Sequence, residues 1–141
     1  MYKNNFFDLI TCFHTLDHVV DPNQFIRIVF KYLKPKGQIL FIVHDVKGLS
    51  VKLFGERSPI FDIEHIFLFD QNTLKKLFLK NGFKKVETFE IKNSYLLYDW
   101  FISSPFPKKL KKPVAEFLNK TGAGKITISL KAGNIGVVAT K

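Results

Sequence analysis

Apolar and polar positions fall into blocks along the chain, and each block predicts an element. Phe7 to Phe13, FDLITCF, is an apolar run of strand length. Asp21 then stands before Pro22, an N-cap followed by proline at the first helical position. Phe25, Ile26, Val29, Phe30 and Leu33 recur at helical spacing, which predicts a helix of about three turns. KPKG at 34–37 ends it, since proline cannot continue a helix and glycine permits a sharp turn. QILFIVHD, from Gln38 to Asp45, is continuous and rich in branched residues, as in a strand buried on both faces. Strand, helix and strand make a βαβ unit, with parallel strands and a right-handed crossover.

The pattern loosens between Val46 and Ile63, where a connection with one short helix over 48–54 is predicted. Long connections on a rigid α/β frame are where binding residues tend to sit. FDQNTLKKLFLKNGF then supplies Asp70 as N-cap, Leu74, Leu77 and Phe78 on one face, and Gly82 as the stop of a second helix. KKVETFEI at 84–91 alternates like a strand, and Tyr95 to Ile102 and Val114 to Leu118 read as short helices. The closing runs ITISL and IGVVATK flank AGN, which predicts a β-hairpin.

Length and composition bound the picture. With 141 residues and 46% hydrophobic content, the chain suffices for one core, so residues 1–141 are expected to form a single unit. No stretch approaches the roughly 18 apolar residues of a membrane-spanning helix. MYKNNFFDL lacks the marks of a secretory signal, and Cys12, the only cysteine, has no internal disulfide partner. A cytoplasmic protein is the expectation. The formal charge of +10 is mostly lysine, with Arg27 and Arg57 the only arginines. Nucleic-acid readers generally add arginines within a recognisable module, so the charge reads as a lysine-rich surface and argues against nucleic acid. One dense cluster, PFPKKLKKP at 105–113, lies near Trp100, Phe101 and Phe106. It supports an alternative, a non-catalytic basic module that meets an anionic membrane surface or nucleic acid.

FDLITCFHTLDHVVDPNQFIRIVFKYLKPKGQILFIVHDV resembles the second half of a class I S-adenosylmethionine-dependent methyltransferase. In that family an FD strand, an L(E/D)HV.DP turn, a helix and LKPGG lead into the next strand. The stretch GERSPIFDIEHIFLFDQNTLKKLFLKNGF is similar to the family's EH…FF…TL…LL…GF region, and LKAGNIGVVATK to its GD…V.A.K ending. The resemblance spans nearly the whole chain in the right order. It implies half of a Rossmann-like α/β sheet, mostly parallel with an antiparallel C-terminal strand. Strands near 7–13 and 38–44 would be parallel neighbours, and 134–140 would insert antiparallel between 38–44 and 84–91.

In this family the glycine-rich turn after the first strand and the acid ending the second hold the cofactor. Neither has a match here, since GAG at 122–124 follows a helical stretch and reads as a turn. The resemblance thus implies a truncated or split methyltransferase whose activity needs an N-terminal half, supplied separately or through a homodimer. It places Cys12, Phe13, His14, Thr15 and His18 on one flank of S-adenosylmethionine. It implies a small-molecule or lipid-like methyl acceptor, with His65 and His44 as candidate bases, because imidazole titrates near operating pH. A histidine that merely orients its loop is the alternative for both, as no partner carboxylate can be placed from sequence. His14 and His18 have the i, i+4 spacing of a zinc pair, but HTLDH lacks the glutamate of HExxH and starts in a strand-to-helix turn, so no metal is assigned.

Overall fold

A computed structural model describes residues 2–141. Strand β1 (Phe7–Phe13) runs into a 3₁₀ turn at Leu16–His18 and then helix α1 (Pro22–Tyr32). The Asp21 carboxylate accepts the Gln24 backbone N–H at 3.0 Å, so the cap read from sequence is formed. Leu33, counted with the helix from its spacing, instead leaves it and opens strand β2 (Leu33–His44). Pro35 holds the residue before it extended. The bend that follows uses Lys36 at φ 65° and Gly37, where a Cβ would sit 2.8 Å from the Lys34 carbonyl oxygen.

Helix α2 (Leu49–Phe54) lies in the connection, and α3 (Gln71–Lys80) follows. Asp70 and Thr73 cap α3 reciprocally: the Thr73 N–H donates to Asp70 Oδ1 at 2.7 Å and the Asp70 N–H to Thr73 Oγ1 at 2.9 Å. Strand β3 (Lys84–Leu96), helices α4 (Leu97–Ser103) and α5 (Lys108–Thr121), and strand β4 (Thr127–Thr140) complete the chain. The sheet order is β1-β2-β4-β3. β1 and β2 are parallel, and β4 is antiparallel to both β2 and β3. Three strands therefore run one way and the C-terminal strand the other.

Further sequence expectations change, and the helix expected from Tyr95 begins only at Leu97, since Tyr95 and Leu96 end β3. The segment predicted as a hairpin is one continuous strand. Asn134 pairs with Ile91 and Leu130 with Asn93, so Lys131, Ala132 and Gly133 together oppose Lys92. AGN is thus a bulge, not a turn. The helix predicted over Val114–Leu118 is longer, beginning at Lys108 and carrying Pro113 in its interior.

α1 and α3 cover one face of the sheet. Ile26 and Val29 from α1 and Leu74 and Phe78 from α3 meet Ile39, Phe41, Val43, Val137 and Ala139 in one buried cluster, with Phe41 edge-on to Phe78 at 5.4 Å. The other face is less covered: Leu9 is 54% exposed, Phe13 50% and Phe89 40%. No helix among the described residues is long and apolar enough to cross a membrane.

Candidate functional site

The site is built where β1 and β2 end. After Phe13 the backbone turns sharply: His14 has φ 47°, and its N–H donates to the Ile42 carbonyl at 2.8 Å. The turn then drives Leu16 and Asp17 inward, leaving Asp17 only 1% exposed. A charge buried this deeply requires partners. One of its oxygens, Oδ2, accepts the His44 ring Nδ1–H at 2.5 Å and the His44 backbone N–H at 3.3 Å. Burial pushes the Asp17 pKa up, but the His44 hydrogen bond and backbone donors outweigh it, so the carboxyl lies below its ordinary value. The other oxygen, Oδ1, is buried without a hydrogen-bond partner.

The connection closes over this turn. The Phe67 N–H donates to the Asp17 carbonyl at 3.1 Å, His18 Nδ1 meets the Glu64 carbonyl at 2.8 Å, and His65 Nδ1 meets the Ile60 carbonyl at 2.8 Å. All four histidines of the chain therefore stand in one row. Ring centroids are 4.7 Å apart for His14 and His44, 4.4 Å for His44 and His65, and 4.8 Å for His65 and His18. Desolvation and the neighbouring His44 push the His14 pKa down.

His14 and His44 face a cleft of about 450 Å³, also lined by Ser50, Ile60, Tyr95 and Asn134. Its floor is tight. A Cβ on Gly48 would lie 2.4 Å from Gly133 Cα, and one on Gly133 would lie 2.5 Å from Ile60 Cδ1. The adjoining hollow, which shares Ser50 and Tyr95, is walled by Leu49, Leu53, Phe54 and Trp100.

The residues singled out from sequence separate into two groups. His14, His18, His44 and His65 come together. Cys12 turns the other way and packs against the core, where burial raises its thiol pKa, while Phe13 projects from the opposite face and Thr15 donates to the Phe13 carbonyl at 3.0 Å. Asp17 was not singled out, although it lies inside the HTLDH motif. It supplies the carboxylate partner that sequence could not place. By binding His44 Nδ1–H it fixes the tautomer and leaves Nε2 free to accept a proton.

The family model for a methyltransferase domain matches residues 1–88. A ubiquinone biosynthesis O-methyltransferase of Pseudomonas fluorescens is 49% identical over 35 residues, 25% of this chain and 15% of that protein. A SAM-dependent methyltransferase from Thermotoga maritima shares the fold with TM-score 0.62 and 15% identity over 99% of this chain and 58% of its own. The phosphoethanolamine N-methyltransferase 2 of Haemonchus contortus, solved with S-adenosyl-L-methionine, aligns with TM-score 0.58 and 16% identity over the full chain and 34% of its own. The chain thus spans a small part of the curated relatives it matches and little more than half of the first of these structures. With the model match covering well over half of its residues, the chain belongs to the methyltransferase domain family.

Proposed function

We propose that this chain forms the acceptor side of an S-adenosylmethionine-dependent methyltransferase, with His44 as general base and Asp17 as the residue that positions it. The observation that carries the reading is the Asp17–His44 pair at the cleft formed by the carboxyl ends of two parallel strands, where ligands of open α/β sheets bind. When bound, the cofactor supplies an electrophilic methyl group on a sulfonium. Phe13, His14 and Thr15 suit one flank of it, since Phe13 offers half-exposed apolar surface, with the Cys12 backbone and His18 beside them. An acceptor hydroxyl in the cleft would give its proton to His44 Nε2, with His65 as the second candidate for that proton, while the methyl group passed to its oxygen as the carbon–sulfur bond of the sulfonium broke and the neutral thioether left. Hydroxyl chemistry accords with the O-methyltransferases among the relatives, and the adjoining apolar hollow suits an acceptor with a lipid-like portion.

The glycine turn and ribose-binding acid of the family have no counterpart in this sequence. Each lost charged hydrogen bond removes about 1.5–3 kcal/mol, against about 8 kcal/mol for micromolar affinity. The 141-residue chain alone should therefore show no S-adenosylmethionine binding by calorimetry at sub-millimolar ligand. Mixing it with a matching N-terminal half should restore binding, and methyl transfer by the mixture should fall sharply in His44→Ala. Tight binding by the chain alone would refute the half-site reading.

A second reading, contact with an anionic membrane surface, draws on α5. Leu110 and Phe117, seven residues apart on one side of the helix, are 45% and 63% exposed beside Lys108, Lys109 and Lys112. Cosedimentation with anionic but not neutral vesicles tests it.

A further inference from the structure

Asp17 Oδ1 is a buried carboxylate oxygen with no hydrogen-bond partner, and such a group is costly unless something completes it. Its neighbour is His18 Nε2 at 3.9 Å, too far for a hydrogen bond. The His18 and His65 rings are fixed in the same way, each with Nδ1 on a backbone carbonyl, of Glu64 and Ile60 respectively. Those contacts protonate Nδ1 and leave Nε2 as a bare lone pair on both rings, the arrangement by which metal-ligating histidines are oriented. One ligand atom from each of Asp17, His18 and His65 lies within 4.8 Å of the others.

We propose that Asp17, His18 and His65 form a binding site for a divalent transition-metal ion of the zinc type. Bonds of about 2.0–2.2 Å from one ion hold its ligands about 3–4 Å apart, so the 3.9 Å separation leaves room for one ion between the two atoms. Two imidazoles and one carboxylate suit zinc, cobalt or iron better than calcium or magnesium, which favour all-oxygen shells. The alternative trio of His14, Asp17 and His44 is also close enough. There, however, His44 Nδ1 and Asp17 Oδ2 are already spent on each other. Asp17 would thus divide its two oxygens, Oδ2 holding His44 and Oδ1 holding the metal. The sequence motif alone gave no such site, because HTLDH supplies only two of the ligands and His65 arrives from 47 residues downstream of His18.

The site shares Asp17, His18 and His65 with the proposed methyl-transfer site, but metal binding is tested without methyl transfer. Zinc chloride titrated into the metal-free 141-residue chain in a calorimeter should give one saturable site in the micromolar range or tighter. Cobalt chloride should develop a visible ligand-field band that zinc abolishes. His65→Gln and His18→Gln should each weaken binding by at least the ten- to hundredfold seen when metal surroundings are lost, while His14→Ala retains it. Circular dichroism of each variant separates loss of ligand from loss of fold, and the His65 variant, in the surface connection, serves if the His18 variant unfolds. Absence of saturable binding, binding unchanged in both glutamine variants, or loss in His14→Ala with retention in His65→Gln would overturn the assignment.

Discussion

Replacing Asp17 with asparagine preserves the shape of a nearly inaccessible side chain and removes its charge. In the native fold Oδ2 accepts two donors from His44, the ring at 2.5 Å and the backbone at 3.3 Å. A hydrogen bond to a charged group contributes about 1.5–3 kcal/mol and a neutral one about 0.5–1.5, so the exchange should cost about 1–2 kcal/mol at pH 7. With a urea slope of about 2 kcal/mol/M, the unfolding midpoint should fall by roughly 0.5–1 M. Trp100 fluorescence and far-ultraviolet circular dichroism should report the same transition. In a double-mutant cycle, Asp17→Asn with His44→Gln should cost about 1 kcal/mol less than the sum of the single changes, as for residues in direct contact. The sign of the pH dependence follows from the depressed pKa. The contribution is fully present above the unfolded value, ordinarily 3.8, and is lost as pH falls through the lower folded value. The gap between wild type and Asp17→Asn should therefore be complete at pH 7 and close in strong acid. Additive single effects, or an undiminished gap at pH 2, would refute the coupling.

Glycine substitutions test the close packing along β4. A Cβ at Gly48 and one at Gly136 would each lie 2.4 Å from a neighbour, but the first meets the Gly133 backbone and the second the tip of the Phe89 ring. Backbone cannot yield and a 40% exposed ring can swing aside, so Gly48→Ala should cost about 1–3 kcal/mol in urea unfolding and Gly136→Ala clearly less; equal costs would contradict this. Cys12, whose thiol pKa burial raises, should react with iodoacetamide at pH 8 more slowly than a small free thiol and approach that rate in urea. Equal rates in the native chain would show that the thiol is not shielded.

How much of this was legible in the sequence depended on how local the cause was. Asp21 with Pro22 and Asp70 mark their helix starts locally, and both N-caps form as read, with Thr73 completing the second. AGN misleads because glycine marks a bulge and a turn alike, and the partner strand that decides between them, with Lys92 facing three residues, lies far back in the chain. The histidines at 14, 18, 44 and 65 were each visible as candidates. Their single row was not, because it depends on the parallel β1–β2 pairing and on backbone contacts such as Phe67 N–H to the Asp17 carbonyl. Asp17 resembled any acid in a polar turn, since its burial is imposed by the left-handed step at His14 and by a ring 27 residues away.

The position of β4 has a consequence for synthesis. It separates β2 from β3 in the sheet, yet it is the last of the four strands to be translated. Roughly 30 residues intervene between the end of β3 and the start of β4, a delay of about 2–6 s at ordinary ribosome speeds. Throughout that interval β2 has a partner on one side only and β3 has none, so both strands carry open backbone edges that invite pairing with other chains. Lys141, just after β4, latches the arrangement, its ammonium reaching the Phe30 and Leu33 carbonyls at 2.6 and 2.8 Å. The sheet is therefore assembled only once β4 has cleared the exit tunnel, and chaperones that shelter strand edges have their substrate in the seconds before it does.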